Sequence, residues 1–88
     1  MTDPLEHLRA LFIERCRTDL EQLGALEPDH PDIGVIAHRL AGAAGSFGYP
    51  EISEAAAVVD DRVRYGPKPT PEEVSEMRRA MEKAMAPR

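Results

Sequence analysis

Residues 31–48, which read PDIGVIAHRLAGAAGSFG, decide the fold class of this 88-residue chain. The apolar residues of this stretch recur every three or four positions, the spacing that places side chains on one face of an α-helix. The helix is predicted to begin near residues 29–31 and to end at Gly48, because proline suits a first turn and glycine a helix end. Its buried face would consist of Ile33, Ile36, Ala37, Leu40, Ala44 and Phe47.

Stretches rich in glycine or proline divide the whole chain into four segments. They lie at residues 24–31, 48–50 and 66–71, and each of the four segments between them has helical spacing. Helices of similar length with short connections favour antiparallel neighbours. The sequence therefore predicts an all-α protein, an antiparallel up-down-up-down four-helix bundle, in which residues 1–88 form a single domain.

The first helix carries signals at both ends. Asp3 is predicted to be its N-cap, with Pro4 at the first helical position and Glu6 completing a capping box. Its apolar stripe runs to Leu23, and Gly24 is expected to end the helix in a left-handed conformation.

The third and fourth helices also have clear sequence signals at their ends. The third is predicted from Pro50 to Tyr65, where a glycine and a proline follow and stop it. The fourth has the strongest start signal of the chain, with Thr70 as N-cap, Pro71 next, and Glu73 three residues later as the capping-box partner.

Charge and composition exclude several classes of function. Lys and Arg total 11 and Asp and Glu total 16, so the net charge of −5 argues against nucleic acid or an anionic membrane as the main partner. The single cysteine, Cys16, cannot form an internal disulfide. Without a leader-like N-terminal pattern or a long apolar stretch, the expected protein is cytoplasmic and monomeric. Its three histidines lack partners at metal-ligand spacing, so no metal site is predicted.

His38 is the candidate functional residue, because it lies beside a row of glycines. It points away from the buried stripe, and its neighbours on the same helix face are Gly34, Gly42 and Gly45. Each interior glycine costs a helix about 1 kcal/mol relative to alanine. One explanation is that the glycines leave room for another macromolecule to approach the imidazole, and the other is that they let a neighbouring helix pack tightly.

The stretch His38-Arg39-Leu40-Ala41-Gly42 resembles the His-x-Leu-Lys-Gly signature of histidine-containing phosphotransfer (HPt) domains, which are four-helix bundles. The resemblance implies that His38 accepts a phosphoryl group from a receiver-domain aspartate and passes it to another receiver. The expected partners are response-regulator receiver domains and a hybrid histidine kinase. The chain would be a phosphocarrier and not an autonomous kinase, without a cofactor of its own, and Mg²⁺ would be held by the receiver.

The resemblance also assigns supporting roles. Gly42 is expected to support the site, and the usual lysine of the signature is Ala41 here, which leaves Arg39 as the nearest cation. Asp60 falls where a polar residue of the next helix hydrogen-bonds the histidine in the family. The alternative for Asp60 is a surface pair with arginines of its own helix. The expected docking surface for the receiver consists of Gly34, Val35, Ala41 and Gly45.

Two alternatives to a free phosphorelay intermediate stay open at the level of sequence. A helical adaptor that binds receiver domains or other helical partners would have the same fold without phosphorylation of His38. The chain would also fit a phosphotransfer domain excised from a larger kinase.

Overall fold

The computed structural model describes residues 3–27 and 29–86, and these form four α-helices and one short 3-10 helix. The α-helices are α1 (Pro4–Ala25), α2 (Pro31–Ala43), α3 (Pro50–Tyr65) and α4 (Pro71–Met85). The 3-10 helix, Gly45–Phe47, follows α2 directly. No strand occurs within these described ranges, so the predicted all-helical class is confirmed. None of the described helices is long and apolar enough to cross a membrane.

The helix starts follow the predicted signals, with proline at the first position of all four α-helices. The capping box of α4 is confirmed: the Glu73 amide donates to the Thr70 hydroxyl at 3.1 Å, and the Thr70 amide donates to the Glu73 carboxylate at 2.9 Å. At α1 the predicted box with Glu6 is replaced by a simpler cap, because the Asp3 carboxylate accepts from the Leu5 amide at 3.0 Å.

Two predicted helix ends differ from the structure. Gly24 does not end α1, which continues to Ala25 and is capped by Leu26 in an extended conformation. The second helix was predicted to stay α-helical as far as Phe47, but it tightens into the 3-10 turn after Ala43. Gly48 ends this turn as predicted, with a φ of 88° in the left-handed region that favours glycine.

A single apolar core lies between the four helices. Phe12 of α1 links the core to the turn after α2, because its ring lies 5.3 Å from that of Phe47 and 5.6 Å from that of Tyr49. The predicted stripe of α2 and the apolar faces of α3 and α4 supply most of the other buried side chains: Ile33, Ile36, Ala37, Leu40, Ala44, Ile52, Ala56, Val59, Met77 and Met81.

The contact between α2 and α3 positions the candidate site. The Ser53 hydroxyl of α3 donates to the Ala41 carbonyl of α2 at 2.9 Å. At the other end of the same contact, Gly34 is buried against Val63. These two contacts hold the exposed face of α2 beside the C-terminal half of α3, where the other residues of the candidate site lie.

Candidate functional site

His38 lies midway along α2 with its imidazole in solvent. Its neighbours Ala37 and Leu40 are fully buried and anchor the helix, whereas 61% of the His38 side chain is exposed. A neutral imidazole has one ring nitrogen with a free lone pair, and that nitrogen is a nucleophile. The ring is therefore accessible to a partner macromolecule and chemically able to react.

Asp60 of α3 lies against the imidazole. Its Oδ2 is 3.3 Å from Nδ1 of His38, and only 15% of the Asp60 side chain is exposed. Its other oxygen, Oδ1, accepts a hydrogen bond from Nε of Arg64 at 3.2 Å. Asp60 thus makes both of the contacts that sequence analysis treated as alternatives, one with the histidine and one with an arginine of its own helix.

Arg64 is a site residue that sequence analysis missed. Its Nη2 lies 2.7 Å from Nδ1 and 3.3 Å from Nε2 of His38. The negative charge of Asp60 is the main reason that the pKa of Arg64 is raised above its ordinary value, so the guanidinium stays charged. The only sequence signal was the i, i+4 spacing of Asp60 and Arg64, which is common on helix surfaces and does not point to a histidine.

Asp60 and Arg64 take different positions around the imidazole. A protonated Nδ1 donates to the Asp60 carboxylate and leaves Nε2 with a free lone pair. Nη2 of Arg64 is close to both ring nitrogens, so it lies over the face of the imidazole and not along the in-plane lone pair of either nitrogen. The arrangement therefore supports the tautomer that has a nucleophilic Nε2.

Arg39 lies elsewhere than predicted. Its Nη2 donates to Oδ1 of Asp19 on α1 at 2.8 Å, and the Asp19 side chain is only 2% exposed. One residue along a helix turns the side chain by about 100°, so Arg39 lies on the α1 side of α2 while His38 lies on the α3 side. The expectation that Arg39 replaces the missing lysine is corrected on this ground, since its guanidinium is paired with a buried carboxylate.

The glycines beside His38 divide into two kinds. Gly34 is buried, and a Cβ atom there would lie 2.7 Å from Cγ1 of Val63, so this glycine permits tight helix packing. The prediction that Gly34 belongs to the docking surface is corrected accordingly. Gly42 is exposed, and a Cβ there would have no neighbour within 4 Å. Gly45 is also exposed, with Ser53 as its nearest neighbour, 3.5 Å from such a Cβ.

The two other predicted docking residues differ in exposure. Val35, one turn before His38, is 66% exposed, which is unusual for a valine in the middle of a helix. Ala41 is half-buried, and its carbonyl accepts the Ser53 hydrogen bond. Gly42 and Gly45 thus present little bulk on the helix face that carries His38, Val35 adds an exposed apolar side chain one turn earlier, and Ala41 lies at the edge of this surface.

The chain matches the Hpt domain family over residues 7–86, a range that includes all of α2, α3 and α4 and most of α1. The chain belongs to the Hpt domain family. The resemblance inferred from the His38 stretch is therefore confirmed. Hpt domains are phosphocarrier modules of two-component phosphorelays, where they interact with receiver domains and histidine kinases. No curated protein and no solved structure gave a match to this Hpt domain.

Proposed function

We propose that this Hpt domain is a phosphorelay intermediate in which Nε2 of His38 accepts a phosphoryl group from a receiver aspartate and passes it to a second receiver. The observation that carries the proposal is an exposed imidazole whose Nδ1 faces the Asp60 carboxylate at 3.3 Å, beside the open surface at Gly42. A carboxylate at Nδ1 favours the tautomer with a free lone pair on Nε2.

The transfer step balances without a further reactant. The lone pair of Nε2 forms the new N–P bond, the bond between phosphorus and the receiver carboxylate oxygen breaks, and its electron pair stays on that carboxylate. Nδ1 keeps its proton, so positive charge develops on the ring as the N–P bond forms. Asp60 stabilises this charge and holds the ring orientation, the role that an aspartate has beside a catalytic histidine in hydrolases.

The donor and acceptor are proposed to be receiver domains, one of them part of a hybrid histidine kinase. Phosphoryl transfer depends mainly on positioning and on charge neutralisation at the phosphoryl oxygens. Mg²⁺ held by the receiver's own carboxylates would supply part of that charge, so this chain acts as a carrier and not as a kinase. Val35, Gly42 and Gly45, with Ala41 at the edge, form the surface on which the receiver would dock.

The proposed carrier is a cytoplasmic monomer with an antiparallel bundle, and it acts on neither nucleic acid nor membrane. The net charge of −5 supports the choice of a protein partner. Support for the antiparallel order comes from paired contacts in which residue numbers rise on one helix and fall on the next. These pairs are Arg9–Phe47 and Asp19–Arg39, His38–Asp60 and Ala41–Ser53, and Glu51–Lys83 and Arg62–Glu73.

The test is incubation of the chain with a phosphorylated receiver domain and Mg²⁺, followed by measurement of acid-labile, base-stable label. Wild type should take the label and His38→Gln should not, while both keep the same helical circular dichroism and melting temperature. His7→Gln is the matched control, since His7 is exposed near the start of α1, and it should be labelled like wild type. A folded wild type that binds receivers but never takes label would instead identify a non-phosphorylated adaptor.

A further inference from the structure

The family signature places a cation beside the histidine, and the two positions of α2 that could supply it here do not. The family lysine is replaced by Ala41, and Arg39 is held by the buried Asp19 on the other side of α2. The guanidinium of Arg64 is already at the site, with Nη2 within 3.3 Å of both ring nitrogens of His38. It reaches the site from α3 and not from the helix that carries the histidine.

We propose that Arg64 is the phosphoryl-binding cation of this domain and that it alternates between two positions. In the free protein its Nη2 lies over the face of the imidazole, and after transfer it donates to the equatorial oxygens of the phosphoryl group on Nε2. This inference rests on the proposed function of His38. It assigns the positive charge of the site to a residue outside the His38–Gly42 stretch.

The contacts of Arg64 suit such a movement. Its Nε donates to Oδ1 of Asp60 at 3.2 Å, which tethers the base of the guanidinium, while 48% of the side chain is exposed and can move in solvent. A guanidinium has five N–H donors in a planar fork, so it can keep the Asp60 bond and still bind phosphoryl oxygens. Asp60 therefore orients both the imidazole and the cation.

The free position of Arg64 leaves the nucleophile intact. An Nη2 that lies 2.7 Å from Nδ1 and 3.3 Å from Nε2 is over the face of the imidazole and not along the in-plane lone pair of either nitrogen. Nδ1 can therefore donate to Asp60 while Nε2 keeps its lone pair for the phosphoryl group. The guanidinium then has only a short distance to move from the ring face to the phosphoryl oxygens.

The experiment measures the rate of phosphorylation from a phosphorylated receiver and from phosphoramidate, a small donor that needs no docking surface. The matched control for Arg64→Gln is Arg62→Gln, since Arg62 lies on the same helix but pairs with Glu73. Arg64→Gln should be about tenfold slower or more with both donors, because a charge-assisted bond to the phosphoryl oxygens is lost. Arg62→Gln should match wild type. Equal rates for the two variants overturn Arg64 as the cation. A wild type that takes no label from the receiver overturns the proposed function, and the role of Arg64 with it.

Discussion

Arg39 donates a hydrogen bond to Asp19 across the α1–α2 interface, and that carboxylate is almost completely removed from solvent. The Nη2–Oδ1 distance is 2.8 Å, and Nε of Arg15 lies 3.5 Å from the same oxygen. Oδ2 of Asp19 is buried and accepts no hydrogen bond from the described residues. A buried charge is tolerated only while it is paired, so this contact ties Arg39 to the bundle interior.

Arg39→Ala is accordingly expected to act on stability and not on the chemistry of transfer. Removal of the main partner of a buried carboxylate should lower the free energy of unfolding by roughly 1 to 3 kcal/mol. In a domain of this size, each 1 kcal/mol lowers the melting temperature by about 4 to 8 °C. Urea unfolding followed by circular dichroism measures the loss. Asp19→Asn combined with Arg39→Ala should recover part of it, since no buried charge is then left unpaired. A stable Arg39→Ala that transfers slowly would contradict the assignment.

Gly34→Ala should destabilise the bundle although alanine is the better helix former. The new Cβ would lie 2.7 Å from Cγ1 and 3.3 Å from Cβ of Val63, so the Val63 side chain would have to leave its position or α2 and α3 would have to separate. Overpacking of this kind costs about 1 to 3 kcal/mol, which exceeds the roughly 1 kcal/mol that the helix propensity of alanine offers. Thermal melting measures the change. Val63→Ala in the same chain should relieve much of the clash, and a melting temperature above that of wild type for Gly34→Ala alone would contradict the packing argument.

Replacement of Gly42 by alanine is expected to have the opposite effect on stability. A Cβ there has no neighbour within 4 Å, so Gly42→Ala should stabilise the domain by up to about 1 kcal/mol and leave phosphorylation by a receiver close to wild type. Gly42→Gln should be as stable but slow with a receiver, because a long side chain four residues after His38 obstructs docking. With phosphoramidate as the donor, Gly42→Gln should react like wild type. Equal slowing with both donors would argue against a steric role at the docking surface.

Cys16 should make the stability of the protein fall at alkaline pH. Burial, assisted by the charge of Asp19, raises the pKa of its thiol from 9.0 to about 11. The thiol of the unfolded chain loses its proton first, so this contribution is complete below pH 9 and is lost as the pH rises toward 11. The loss approaches about 1.4 kcal/mol per pH unit within this window. The measurement is the urea unfolding free energy of wild type and Cys16→Ala at pH 7.5 and 10. Parallel pH dependences in the two proteins would contradict the buried neutral thiol.

Local features of the sequence were sufficient for the helices and their starts. The Thr70–Glu73 capping box and the prolines at the first helical positions act within one turn, so the residues that form each cap are close together in the chain. The apolar stripe from Ile33 to Ala44 likewise follows from 3.6 residues per turn, and its predicted members are buried. The family could be inferred from residues 38–42 for a similar reason, because this stretch spans little more than one helical turn.

Tertiary structure alone decided which long side chains meet. Arg39 and Asp19 are 20 residues apart, and Arg64 and His38 are 26 apart, so neither pair has a spacing that local periodicity describes. Which arginine reaches the imidazole depends on how α2 lies against α1 and α3, and that follows from packing of the whole core. The distinction between Gly34 and Gly42 has the same origin: both lie four residues from His38 on one helix face, but only Gly34 faces a side chain of α3. The sequence by itself determined the helices and singled out His38, and the packing of the helices determined that Arg64 lies beside it.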